Sequence, residues 1–276
     1  LGCMGLTALA FLFWLYRVRV NVRALGMRKL RYRREWTLVS FLVPILNLLR
    51  PYQVVREIWQ ASMDEIEQVR AVREALGEGI EICVDVHTRL DPAAVIQFCK
   101  GVEQYRPYFI EDPIRSESSE SLRLVRQQTS VPIAVGEQWA GKWAFRQVIE
   151  EELTDYARID ICIAGGLTEA KKIAGWCETH YIYLAPHNPL GPVSTAACLH
   201  LCLASSLVGV QECPRPPGTT HTDVFPVQVP FADGYLQVPD RPGLGVEFNE
   251  EAAVAGEPRA GTGLWYWRED GSFTNW

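Results

Sequence analysis

The chain has 276 residues, enough for one large domain or two small ones, and its 48% hydrophobic content fits a globular body with a true core and excludes a disordered polymer. The net charge of −6 hides an asymmetry: residues 1–60 hold ten basic and two acidic side chains, or +8, while residues 61–276 hold 17 and 31, or −14. Two regions with different surroundings are expected, and no nucleic-acid partner. The eight cysteines form no Cys-x-x-Cys pair and no dense framework. Reduced, mostly buried thiols in a cytoplasmic protein are therefore expected.

The first sixty residues carry two apolar runs, Leu6–Tyr16 and Trp36–Leu49, separated by eight basic residues and no acid from Arg17 to Arg34. A full membrane helix needs about 20 apolar residues, so each run is short. The pattern is that of a helical hairpin with a positive cytoplasmic loop. Residues 1–62 are read as a helical segment, membrane-associated if at all through residues 1–50. A buried core helix with a basic neighbour is the competing reading. A spanning hairpin would place residues 61–276 outside the cytoplasm, against the cysteine reading.

From Met63 the pattern changes. Ile66, Val69, Val72 and Leu76 fall at helical spacing and Gly77 ends the run. Short β-rich stretches follow at 80–86, 108–110, 131–135, 157–161, 181–185 and 207–211. They alternate with helical candidates at 92–105, 117–128, 143–152, 168–179 and 192–205. Six β-then-α units in order imply an α/β fold with a parallel sheet and right-handed crossovers. A (β/α)8 TIM-type barrel and an open doubly wound sheet are both compatible. No phosphate-binding glycine loop is present, which argues against nucleotide binding.

Polar groups of catalytic type sit where these strands end: Asp85 and His87, then Glu111, Glu137, Asp160, His187 and Glu212. From Asp85 onward the intervals are 26, 26, 23, 27 and 25 residues. A barrel gathers such groups at one mouth, whereas an open sheet spreads them along a line. Asp85, Glu111 and Glu137 suit a hard divalent cation. Asp160 and His187 lie on adjacent strand ends, where an aspartate fixes the tautomer of an imidazole and makes it a base. Trp139 and Trp143 read as core packing ahead of pocket wall, Gly165-Gly166 as a turn, and His180, His200 and His221 as surface or packing.

The motifs VDVHTRL, FIEDPI, VGEQW and APHNPLGPVSTAACLH, with PDRPGLGVEF and the tail LWYWREDGSFTNW, resemble in combination the enolase superfamily. The branch is the mandelate racemase-like one, and within it the sugar-acid dehydratases of the galactonate dehydratase type. The resemblance covers about residues 63–276. It implies Mg²⁺ on Asp85, Glu111 and Glu137, with His187, oriented by Asp160, as base for the C2 proton. His87 is implied as acid for the departing 3-hydroxyl and Glu212 as partner of the substrate carboxylate. The product is then a 2-keto-3-deoxy acid, the substrate a small sugar acid and the assembly a homo-oligomer. Racemisation or epimerisation of a 2-hydroxy acid is the alternative on the same fold, and a non-catalytic membrane-associated fragment the alternative outside it.

The family's capping domain and first two barrel strands find no counterpart in residues 1–62. An incomplete barrel of about six strands is expected, with a fusion, truncation or misjoined reading frame near residues 60–63. Residues 1–62, ending in RPYQVVREIWQAS, instead resemble an uncharacterised bacterial multi-helix membrane family.

Overall fold

The computed structural model describes residues 65–255. The helical segment expected over residues 1–62, its boundary at 62/63 and the C-terminal tail motif lie outside them. Residues 65–72 fall in one unit, and Arg73 onward in a second compact unit that holds the strands found among the described residues. Among the described residues no helix is long and apolar enough to cross a membrane.

Five strands alternate with helices. After helix α1 (Glu65–Leu76) come β1 (Cys83–Asp85), α2 (Pro92–Val102), β2 (Phe109–Glu111), α3 (Ser119–Arg126), β3 (Ile133–Val135) and α4 (Gly141–Glu150). Then follow β4 (Tyr156–Ala157), α5 (Ile161–Ala164), α6 (Leu167–Glu178), β5 (Tyr183–Leu184) and α7 (Pro192–Leu203). The sheet order is β1-β2-β3-β4-β5 and every pair is parallel. Strand order equals chain order, without the reversal that defines a doubly wound sheet, so the arc is of barrel type.

The expected sixth strand is reduced to one parallel bridge, Leu184 to Val208. Two hydrogen bonds hold it, Leu184 N–H to Leu207 O at 3.0 Å and Gly209 N–H to Leu184 O at 2.9 Å. Gly209 has a reason to be glycine: a Cβ there would lie 2.7 Å from the Tyr156 ring. A short antiparallel hairpin, β6 (Phe231–Ala232) with β7 (Tyr235–Leu236), and helix α8 (Glu250–Ala255) complete the described chain. Neither was read from the sequence.

The helices bury one stripe each. In α2, Val95, Phe98, Cys99 and Val102 are buried at i, i+3, i+4, i+7, and α6 repeats this spacing with Ala170, Ile173, Ala174 and Cys177. They cover a sheet core that includes the fully buried Ile110, Ile133, Ile159, Ile182 and Leu184. Burying each such side chain is worth about 1.5–3 kcal/mol. Asp91 caps α2 by accepting from Ala94 N–H at 2.9 Å, with Pro92 opening the helix. Arg126 on α3 grips the Asp155 carboxylate with two bonds of 2.7 and 2.8 Å, and Asp155 also accepts from Ile133 N–H at 2.8 Å. That clamp joins α3 to the entry of β4.

The cysteines are less buried than expected. Cys99, Cys177 and Cys198 are buried, but Cys83 and Cys162 are exposed and Cys202 and Cys213 intermediate, all as free thiols. The 157–161 strand candidate ends at Ala157, and Cys162 falls on the exposed side of the short helix α5 that begins at Ile161. Trp139 is buried edge-on to Phe145 at 5.0 Å, whereas Trp143 is 72% exposed beneath the Lys142 ammonium. Core packing is thus right for Trp139 and wrong for Trp143. Gly165 and Gly166, at φ 104° and 94°, form the turn between α5 and α6.

Candidate active site

Six of the seven polar groups stand at or just beyond the C-terminal end of a strand, and Glu212 follows the bridge at Val208. Asp85 is the last residue of β1 and Glu111 the last of β2, directly opposite in register. Beyond β1 the chain turns through His87 and Thr88 at φ 52° and 61°, and Thr88 N–H bonds Asp112 O at 2.8 Å. Beyond β3, Gly136 turns at φ 133°, and a Cβ there would lie 2.6 Å from the Phe145 ring. That glycine lets the chain bend and present the buried Glu137.

The side chains form one connected set. His87 Nδ1 lies 3.2 Å from Asp85 Oδ2 and 3.6 Å from Glu137 Oε1. The other oxygen of Glu137 lies 3.4 Å from His187 Nε2. His187 Nδ1 bonds Asp160 Oδ2 at 2.9 Å. The second oxygen of Asp160 caps α5, accepting from the N–H groups of Cys162 and Ile163 at 2.8 and 3.0 Å. One buried carboxylate therefore starts a helix with one oxygen and orients an imidazole with the other.

Arg158 completes the set, and sequence reasoning missed it. Its guanidinium is buried and donates to Glu111, to Glu212 Oε2 at 2.6 Å and to Ala185 O at 2.8 Å. Glu212 also accepts from Asn188 N–H at 2.9 Å, so its carboxylate is fixed from two sides. The available signal was a basic residue two positions before Asp160 inside an apolar strand candidate, which places both on one face of the strand.

Burial is the main force on the proton affinities here. It pushes the Glu111 and Glu137 carboxyls above their ordinary range, with Arg158 opposing it. It raises Asp112, crowded by Glu137 and Glu111, to about 8. Three carboxylates at the ends of consecutive strands are a hard-oxygen donor set suited in chemistry to a divalent cation. Their side chains do not close into a cage. Among the described residues no group of three or more His, Cys, Asp or Glu is arranged to hold a metal ion. In this arrangement Arg158 engages Glu111, and the two histidines face Glu137.

A sequentially ordered parallel arc with its acids and histidines at the C-terminal strand ends defines a barrel-type α/β domain with a polar mouth. The chain belongs to the enolase C-terminal domain-like family, whose model matches residues 51–252. A second model, a domain of unknown function termed DUF4328, matches residues 1–79.

A D-mannonate dehydratase of Caulobacter vibrioides is 41% identical over 208 residues, covering 74% of this chain and 51% of the relative. A D-galactonate dehydratase family member of Pantoea ananatis is 37% identical over 196 residues, covering 70% and 47%. Among solved structures, an enolase from Pantoea ananatis with bound D-gluconate and magnesium superposes with a TM-score of 0.68 at 36% identity, covering 71% of this chain and 48% of that one. A mandelate racemase/muconate lactonizing enzyme-like protein from Rubrobacter xylanophilus gives 0.64 at 34%, covering 73% and 50%. The chain thus spans about half the length of the curated relatives it matches.

Proposed function

We propose that this chain carries the reacting half of a Mg²⁺-dependent acid-sugar dehydratase, acting on a galactonate-like aldonate to give a 2-keto-3-deoxy acid. The observation that carries the reading is the placement of two imidazoles against the two oxygens of one carboxyl, His87 at Glu137 Oε1 and His187 at Glu137 Oε2. Dehydration needs a base at C2 and an acid at the 3-hydroxyl, on groups held a short distance apart. His187 has its Nδ1 committed to Asp160, so Nε2, which faces Glu137 Oε2 at 3.4 Å, is the nitrogen that would accept a proton from C2. The electron pair of the broken C2–H bond forms the C2–C3 double bond as the C3–O bond breaks. His87 supplies the proton with which hydroxide leaves as water, and the enol tautomerises to the 2-keto acid.

Asp85, Glu111 and Glu137 would hold the metal. A divalent cation there would neutralise the charge that grows on the substrate carboxylate as the proton departs. Glu212, fixed by Arg158 and Asn188, would stand beside the substrate carboxylate as its hydrogen-bonding partner. Support comes also from the relatives, named as mannonate and galactonate dehydratases, and from the gluconate and magnesium in the superposed enolase.

The test is incubation of the full chain with Mg²⁺ and a panel of aldonates, followed by detection of 2-keto-3-deoxy acids. His187→Asn should abolish product. A second reading has a specific observation behind it, because two histidines flanking one carboxyl also suit two-base epimerisation. Deuterium entering C2 from solvent with inversion, the 3-hydroxyl being retained, would select that reaction and sink dehydration.

A further inference from the structure

The sheet by itself holds Glu212 loosely. The sixth strand position contributes one parallel bridge, at Val208, and Glu212 stands four residues beyond it. Its own N–H reaches Pro186 O at 3.4 Å, the long end of the hydrogen-bond range. Yet the dehydratase reading needs this carboxyl at a fixed separation from His187, which lies 25 positions earlier in the chain.

Side chains supply what the ladder lacks. Asn188, next to His187, is completely buried. Its carboxamide Nδ2 donates to Thr195 Oγ1 at 2.8 Å and to Glu212 O at 3.3 Å, while its backbone N–H donates to Glu212 Oε2 at 2.9 Å. One residue thus holds both the main chain and the carboxylate of Glu212. The carbonyl of Glu212 can only accept, which turns the NH2 side of the amide toward it. Thr195, buried in the first turn of α7, donates its own hydroxyl proton to Gly191 O at 3.2 Å, so its lone pairs remain for Asn188. Gln211 Nε2 donates to Thr195 O at 3.0 Å and ties the residue before Glu212 to the same turn.

Packing alone does not account for this amide. Asn188 Oδ1 is buried and has no hydrogen-bond partner among the described residues, and an unmade acceptor in the interior is destabilising. An apolar side chain of similar size would fill the space without that penalty. Two donors aimed at the neighbouring segments give the carboxamide its reason.

We propose that Asn188 is a positioning residue. Its carboxamide, held by Thr195, clamps the segment that carries Glu212 to the segment that carries His187, so that the base and the partner of the substrate carboxylate keep one separation through turnover. This rests on the sugar-acid dehydratase reading and adds two residues to it, both acting through Glu212 and His187 rather than on the substrate.

The test has two arms on the full chain. The first follows exchange of the Asn188 backbone N–H with solvent deuterium by NMR, because that proton rests on Glu212 Oε2. The reference is the Ile110 N–H in the sheet core, which bonds Pro132 O. Thr195→Val, which removes the hydroxyl oxygen, should speed exchange at Asn188 at least tenfold relative to Ile110, and Thr195→Ser should recover most of the protection. An unchanged ratio in Thr195→Val overturns the clamp. The second arm measures kcat and KM with Mg²⁺ on an aldonate that the chain turns over. A misplacement of about 1 Å can cost about a hundredfold in rate. Thr195→Val and Asn188→Ala should therefore each lower kcat/KM at least tenfold per folded molecule, and the double variant should fall no further than Asn188→Ala alone. Unchanged kcat/KM per folded molecule, or losses that multiply in the double variant, overturn the positioning role. If no aldonate is turned over, the dehydratase reading fails on its own and the exchange ratio decides the clamp, a tenfold rise supporting it. Thermal melting gives the folded fraction, and Thr195→Val keeps both arms decisive if Asn188→Ala does not fold.

Discussion

At the scale of single residues, the site depends on side chains with two tasks. Asp160 caps α5 through one oxygen and holds His187 through the other. Asp160→Asn keeps a capping oxygen, so the helix start should persist with a loss of at most about 1 kcal/mol. The amide, however, would present an N–H group to His187 Nδ1 and move the ring proton to Nε2, the wrong tautomer for a base. The expected result is a fall in kcat on the order of 10⁴ with little change in melting temperature. Steady-state kinetics beside thermal melts check this, and a variant at near-normal kcat would remove the histidine from the reaction.

Arg158 answers to a different logic. It is a buried cation between Glu111 and Glu212. Arg158→Met would leave two carboxylates without their counter-charge, which costs about 3–5 kcal/mol in comparable buried pairs. Urea unfolding should show the loss, and Arg158→Lys should recover only part of it, because an ammonium lacks the fork that reaches both acids.

Among elements, the helix–sheet spacing was open to reading from the sequence and the shorter features were not. The stripes of α2 and α6 and the strand-end intervals of 23 to 27 residues located the longer helices between the strands and the acids and histidines of the site, but not α5. Strands of two or three residues leave too little alternation to define their limits. For that reason β4 stops at Ala157, where the sequence suggested a run to residue 161. The 231–236 hairpin and Arg158 escaped for a related reason, since each takes its meaning from a partner distant along the chain.

A charged tie between α4 and α6 gives a prediction at this scale. Glu169 on α6 accepts from Lys142 Nζ and from Lys172 Nζ, and the Lys142 bonds in particular hold its carboxyl down at about 2. A carboxyl depressed on folding stabilises the folded form above its unfolded value of about 4.3, and that share is lost as pH falls through about 2. Glu169→Gln should therefore lower stability at neutral pH, change it least near pH 2, and so flatten the stability curve between pH 5 and pH 2, as followed by chemical unfolding across that range.

For the whole molecule, the arc among the described residues runs from β1 to the bridge at Val208. The relatives matched are about twice as long as the stretch they share with this chain. Metal binding belongs at this scale, because the three proposed donors stand at the ends of three strands and would bind well only if the arc holds its register. If Mg²⁺ binds the folded form, stability should rise with its concentration, by about 2.7 kcal/mol at a hundred times the dissociation constant. Glu137→Gln should abolish the rise in a thermal melt. A melting curve indifferent to Mg²⁺ in both proteins would mean that the arc does not assemble the three carboxylates.

The amide protons of Cys162 and Ile163 rest on the same carboxylate that steadies the His187 ring. A positive charge arriving on that ring draws the carboxylate's electron density toward Nδ1 and weakens its hold on both amides. Their chemical shifts in ¹⁵N-edited spectra should then move with the charge on the His187 ring, so that two backbone signals at the start of a helix report on a side chain that follows the neighbouring strand.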